Sequence, residues 1–158
     1  MDNQKKFDDY IKLIDKKLEF YINKTFVLHD EIYYSVMGGG KRIRPMLLLS
    51  LCENIFDDNN KLDIALSFAC VIEFIHNYSL IHDDLPGMDN DDYRRNKLTC
   101  HKKFGEANAI LTGDALLNLA FEIAINTCLE NPDKNYLLLA TKKIFDASGL
   151  NGMIKGQS

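Results

Sequence analysis

Apolar side chains recur every three or four positions along most of this chain, and the strict alternation of a β-strand is rare. Over residues 5–23 the stripe is Phe7, Tyr10, Ile11, Ile14, Leu18, Tyr21 and Ile22, with lysines and aspartates between, which predicts an amphipathic helix. A second helix is predicted over about 41–55, after a triple glycine, and the turn cluster Asp57-Asp58-Asn59-Asn60 closes it. A third, over about 62–82, is apolar around much of its circumference, the pattern of a helix buried among others. Pro86 and Gly87 end or bend it. Residues 89–103 read as a polar loop, and further helices are predicted over about 105–128 and 134–145. There are no internal repeats and no low-complexity linker, so the expected fold class is all-α in one domain.

The buried third helix runs straight into five aspartates within ten residues, Asp83, Asp84, Asp89, Asp91 and Asp92, with Arg94 and Arg95 directly behind. A solvated acidic loop is one reading. A metal-and-diphosphate site is the other, and mounting the acids on the most buried element favours it. About seven residues make two helical turns, so a bend at Leu85-Pro86-Gly87 could let Asp83 and Asp89 converge. Converging carboxylates repel, and their pKa values rise, unless a cation lies between them. Oxygen-only ligands select hard cations, and Mg2+ takes one or two carboxylates plus water and phosphate oxygens. Arginine guanidinium would then hold the outer phosphate oxygens. A calcium loop is excluded by register: counted from Asp89, its sixth and twelfth places are Arg94 and Cys100, not glycine and glutamate.

A second basic cluster, "MGGGKRIRPM" at 37–46, places glycines that permit close backbone approach before Lys41, Arg42 and Arg44 at a helix start. It lacks the spacing of a P-loop. Arg42 reads as an ordinary surface charge.

Bulk composition changes little. The 158 residues suffice for one core, 27% are charged, 46% are hydrophobic, and the net charge of −4 gives no footprint for nucleic acid. No run approaches the roughly 20 apolar residues of a membrane span, and the charged start argues against a secretory signal. Cys52, Cys70, Cys100 and Cys128 lie far apart with no CxxC pair, so thiols in a reducing cytoplasm are expected rather than zinc or disulfides.

Three ordered segments carry a family resemblance: "GGGKRIRP" at 38–45, "HNYSLIHDDLPGMDNDDYRR" at 76–95 and "FGEANAILTGDALL" at 104–117. Together they resemble the trans-isoprenyl diphosphate synthases, the farnesyl and geranylgeranyl diphosphate synthase family, and most of all its bacterial farnesyl members. The resemblance implies an isoprenoid-synthase-type helical bundle, and a prenyltransferase that condenses isopentenyl diphosphate with dimethylallyl or geranyl diphosphate. It implies Mg2+ as cofactor, with Asp83, Asp84 and Asp89 as the catalytic, metal-holding DDxxxxD motif. Lys41, Arg44, His76 and Arg95 would bind isopentenyl diphosphate, and Arg94 the allylic diphosphate. Tyr78 and Ser79, about 6 to 8 Å deeper along the helix than Asp83, would set chain length, farnesyl leading geranylgeranyl. A cytoplasmic homodimer is the implied assembly.

For other groups plainer roles are expected. His82 would hydrogen-bond nearby, Asp91 and Asp92 would be solvated, and Asp114 would make a buried polar contact. Asn96 and Leu98 stand where glycine and proline are usual in the relatives.

The family's second aspartate-rich motif does not occur by residue 158. Residues 1–158 are therefore expected to be the N-terminal part of a single synthase domain, inactive by itself. Intact aspartates argue against a non-catalytic subunit of a heteromeric prenyl synthase. Lys41, Arg44 and His76, suited to a second diphosphate, argue against a terpene cyclase, and a plain helical interaction domain has the least support.

Overall fold

The computed structural model describes residues 3–55 and 58–157. It is an assembly of helices with one small hairpin: α1 (Asn3–Tyr21), α2 (His29–Met37), α3 (Ile43–Ile55), α4 (Asn59–Asp83), β1 (Tyr93–Arg94), β2 (Lys97–Leu98), α5 (Cys100–Phe104), α6 (Glu106–Leu129), α7 (Lys134–Ser148) and α8 (Met153–Gln157). The all-α expectation holds. Asp58 caps α4 by accepting from the Asn60 backbone N–H at 2.9 Å; its neighbour Asp57 in the expected turn cluster lies outside the described residues.

α4 is the axis of the bundle. Residues 65–71 are buried without interruption, and Phe74, Ile75, Tyr78 and Ile81 continue the core toward the acidic end. α6 packs along it and α3 and α1 cover other sides. Small buried side chains on both central helices, Ala65 and Ala69 on α4 and Ala109, Ala120 and Ala124 on α6, let the backbones approach closely. Against the sequence expectation, Asn60–Asp83 and Glu106–Leu129 are each long and apolar enough to cross a bilayer by length and composition. In α4 that surface is spent on protein partners.

Two segments differ from the sequence expectation. α2 occupies a stretch with no assigned element, its short apolar pattern contributing only Ile32 and Val36 to the core. Residues 89–103 are not simple loop. Tyr93 pairs with Leu98 and Arg94 with Lys97 in an antiparallel hairpin, and α5 follows. Arg95 and Asn96 form its tip with φ of +54° and +61°, the paired left-handed conformation of a tight two-residue hairpin turn.

His82, in the last turn of α4, closes the contact with α6. Its Nε2–H donates to the Ile110 carbonyl at 3.1 Å, and its ring lies over Gly113. A Cβ on Gly113 would sit 2.1 Å from His82 Nε2, so glycine is required there by space. Gly113→Ala should therefore destabilise the fold by about 1–3 kcal/mol, as overpacking does. Denaturant unfolding checks this, and unchanged stability would contradict the close approach.

Candidate active site

The chain reverses where α4 ends. The Asp84 N–H closes the last turn on the Leu80 carbonyl at 3.1 Å, and the Asp89 N–H returns to the Asp83 carbonyl at 2.8 Å. Met88 and Asn90 both donate to the Leu85 carbonyl, and Asn90 takes φ +54° to complete the turn. A backbone hydrogen bond thus links Asp89 to Asp83 across the turn. Asp83 is half-buried and Asp89 exposed. The Asp83 carboxylate accepts a bond from the Gln157 side chain on α8.

Asp84 points elsewhere. It is 3% exposed and takes Arg94 Nε at 2.9 Å on both oxygens and Arg94 Nη2 at 2.6 Å. The hydrogen bond to Asp84 is the main cause that raises the Arg94 pKa further above its ordinary value. Of the three expected metal-holding carboxylates, Asp84 thus accepts hydrogen bonds from Arg94 on both oxygens, while Asp83 and Asp89 lie in the turn that follows α4. Among the described residues no three His, Cys, Asp or Glu side chains form a ready-made metal cage. Two oxygen donors and open space suit Mg2+, which retains water and phosphate oxygens, better than they suit a metal needing a closed protein shell.

Consecutive arginines in the hairpin join two parts of the site. Arg94 reaches back to the acidic end of α4, and Arg95 donates to the Gly39 carbonyl in the loop between α2 and α3. Gly39 and Gly40 have φ of +110° and +146°, and a Cβ on Gly40 would stand 2.8 Å from Arg95 Nη1. The hairpin is held down independently by α2 and α5. Tyr34 OH donates to the Leu98 carbonyl at 2.9 Å, and the Lys103 ammonium lies 3.6 Å from the Tyr34 ring centre.

Lys41, Arg44, His76 and Arg95, drawn from three separate segments, line one depression together with the glycine loop and Glu73. A second cavity, lined by Gly38, Asn77, Asp84, Arg94 and Arg95, shares Gly38 and Arg95 with this depression. Arg42 overturns its expectation. It is not a surface charge but 3% exposed, donating at 2.8 Å to Asp15, to Glu73 and to the Val36 carbonyl.

Residues 26–157 match the polyprenyl synthetase family. The chain belongs to that family. It is 51% identical over 152 residues to the farnesyl diphosphate synthase of Micrococcus luteus, covering 94% of this chain and 50% of that one. It is 50% identical over 131 residues to the farnesyl diphosphate synthase of Geobacillus stearothermophilus, covering 83% and 43%. The crystal structure of a geranyltransferase from Legionella pneumophila superposes with a TM-score of 0.89 at 37% identity, over 98% of this chain and 55% of that one. The chain thus spans about half the length of the curated relatives it matches.

The remaining expected residues of this polyprenyl synthetase chain are placed as follows. Tyr78 is buried, edge-on to His82 with ring centres 5.7 Å apart. Burial, with the Asp83 charge second, raises its hydroxyl pKa. Ser79 spends its hydroxyl on the His76 carbonyl at 2.9 Å. Asp91 and Asp92 are exposed, Asp92 pairing with Lys102 at 2.8 Å. Asp114 is exposed, not buried, 3.9 Å from His82 Nε2. The sequence reading passed over Glu73, although a lone acid between Ile72 and Phe74 in an apolar helix signals a buried partner. Gln157 and Tyr34 gave no such signal.

Burial, then the Arg44 charge and more weakly Arg95, push the His76 imidazole below 6.5, against an opposing pull from Glu73. The unfolded chain takes up this proton at the ordinary value. Stability from neutral His76 is therefore complete above 6.5 and is lost as pH falls from there through the lower folded value. An NMR titration of the ring should give a midpoint below 6.5. A midpoint at or above that value would contradict the cationic environment.

Proposed function

We propose that this chain forms one half of a prenyltransferase site that condenses isopentenyl diphosphate with an allylic diphosphate, dimethylallyl or geranyl, to give farnesyl diphosphate. One observation carries the reading: Lys41, Arg44, His76 and Arg95 line a single depression, and the hairpin that brings Arg95 there also ties Arg94 to the carboxylate turn. Such a pairing of a cationic pocket with an oxygen-rich turn suits two diphosphates bound differently. Resemblance to two farnesyl diphosphate synthases at about half identity favours the farnesyl product.

In this reading Lys41, Arg44 and Arg95 hold the diphosphate of isopentenyl diphosphate, with His76 at the depression's wall. Asp83 and Asp89 are the groups that would hold Mg2+, which when bound supplies positive charge to the allylic diphosphate. Arg94, oriented by Asp84, adds a fixed cation beside it. The allylic C–O bond breaks with its electron pair going to the diphosphate. The isopentenyl double bond forms the new C–C bond, and loss of a proton leaves a product one isoprene unit longer. Apolar side chains along α4 exclude water from the cation. Tyr78, one and a half turns before Asp83, limits the growing chain. Residues 1–158 are one part of a single domain that works as a cytoplasmic homodimer, and turnover requires the length that the relatives possess and this chain does not span.

Ligand-induced thermal stabilisation tests the two halves separately. A ligand at a hundredfold excess over its Kd adds about 2.7 kcal/mol. Pyrophosphate alone should raise Tm through the basic depression, and Mg2+ should add to it through the acidic turn. Asp83→Asn with Asp89→Asn should abolish the Mg2+ increment alone, and Lys41→Gln with Arg44→Gln the pyrophosphate increment. Equal shifts in all variants would contradict the assignment.

A further inference from the structure

The segment from Gly39 to Arg44 contains one conformation its sequence does not explain. Gly39 and Gly40 adopt positive φ freely, but Arg42 also lies at φ +48°, a region that side-chain-bearing residues rarely occupy. Such an outlier persists only where its surroundings over-determine it. Here the guanidinium does so. Nε binds Asp15 on α1, Nη1 binds Glu73 on α4, and Nη2 binds the last turn of α2 at the Val36 carbonyl, each at 2.8 Å. Glu73 is itself held, because Asn77 Nδ2 donates to its carbonyl at 2.8 Å and to its carboxylate at 3.4 Å.

The backbone of Arg42 also starts α3. Its carbonyl accepts the Met46 N–H at 3.0 Å, so where Arg42 is pinned, α3 begins. Lys41 lies immediately before this point and Arg44 two residues after it, both exposed toward the depression, while His76 lies one helical turn beyond Glu73 on α4. Fixing Arg42 therefore fixes the separation between the cations of the loop and the imidazole of the helix. Glu73 contributes a second effect. As a buried carboxylate lining the depression, it offsets the mutual repulsion of Arg42, Arg44 and Arg95 when no anion is bound.

We infer that Arg42, clamped by Asp15, Glu73 and the end of α2, is a positioning residue for the anion depression. It acts through the placement of Lys41 and Arg44, not by contact with the ligand. The inference rests on the proposed reading that the depression binds a diphosphate.

Calorimetric titration of the protein with inorganic pyrophosphate tests it, with circular dichroism confirming each variant's fold. Arg42→Lys keeps the charge but cannot reproduce three diverging bonds, and Arg42→Gln removes the charge. Both should bind pyrophosphate about tenfold more weakly, the scale at which supporting partners of a site act. Asp15→Asn, altered at the partly exposed end of the clamp, should weaken binding in the same direction, and it decides the matter if the Arg42 variants do not fold. A lysine variant that binds as wild type would mean that charge alone matters, and would overturn the inference. Folded variants with lowered Tm but unchanged affinity would overturn it too, leaving the diphosphate reading intact. Failure of the wild-type protein to bind pyrophosphate would remove both.

Discussion

The ion pair between Asp84 and Arg94 is the contact on which the arrangement of the site depends. A carboxylate buried as Asp84 is would carry a large desolvation cost without a partner, and Arg94 supplies hydrogen bonds to both its oxygens. Breaking a fully buried pair costs about 3–5 kcal/mol; here the cost is smaller, since the Arg94 side chain is 32% exposed. The geometric consequence is larger than the energetic one. The pair folds the hairpin back on the end of α4, and the same hairpin carries Arg95 against Gly39.

Charge is then handled differently on the two sides. On the acidic side, the turn from Leu85 to Asn90 brings the Asp89 backbone back to Asp83 through backbone hydrogen bonds, with no attraction between the two carboxylates required. On the basic side, Arg42 and Glu73 neutralise each other inside the protein, while Lys41 and Arg44 remain exposed. The protein thus keeps the Arg42–Glu73 pair buried and the flanking cations accessible. Rigid elements hold both sides, since α4 supplies Glu73 and His76 as well as Asp83.

How much of this was legible in the sequence follows from the range of the interactions. Helices with long apolar periodicity were readable, as was the helical fold class, because burial recurs at helical spacing along α4 and α6 and in the C-terminal half of α1. The depression's residues were named from motif resemblance, and the structure brings Lys41, Arg44, His76 and Arg95 to one surface. Arg42 was misjudged because its partners lie 27 and 31 residues away; the lone acid Glu73 in an apolar helix signals a buried partner, but nothing local says which cation it is. The hairpin was missed for a related reason. Arg95 and Asn96 adopt left-handed conformations more typical of Asn-Gly, and tertiary contacts from Gly39 and Tyr34 override that preference. Asp84 differs from Asp83 only by facing the other side of the chain's turn, and only coordinates distinguish the two.

The claim that the end of α4 separates a metal-holding pair from an arginine-bound aspartate can be tested by anomalous diffraction. Crystals grown with Mn2+ and pyrophosphate should place the manganese signal between Asp83 and Asp89, with Asp84 still bound to Arg94 and pyrophosphate oxygens completing the coordination. Manganese on Asp84, or on Asp91 and Asp92 with Asp83 and Asp89 left in solvent, would contradict it.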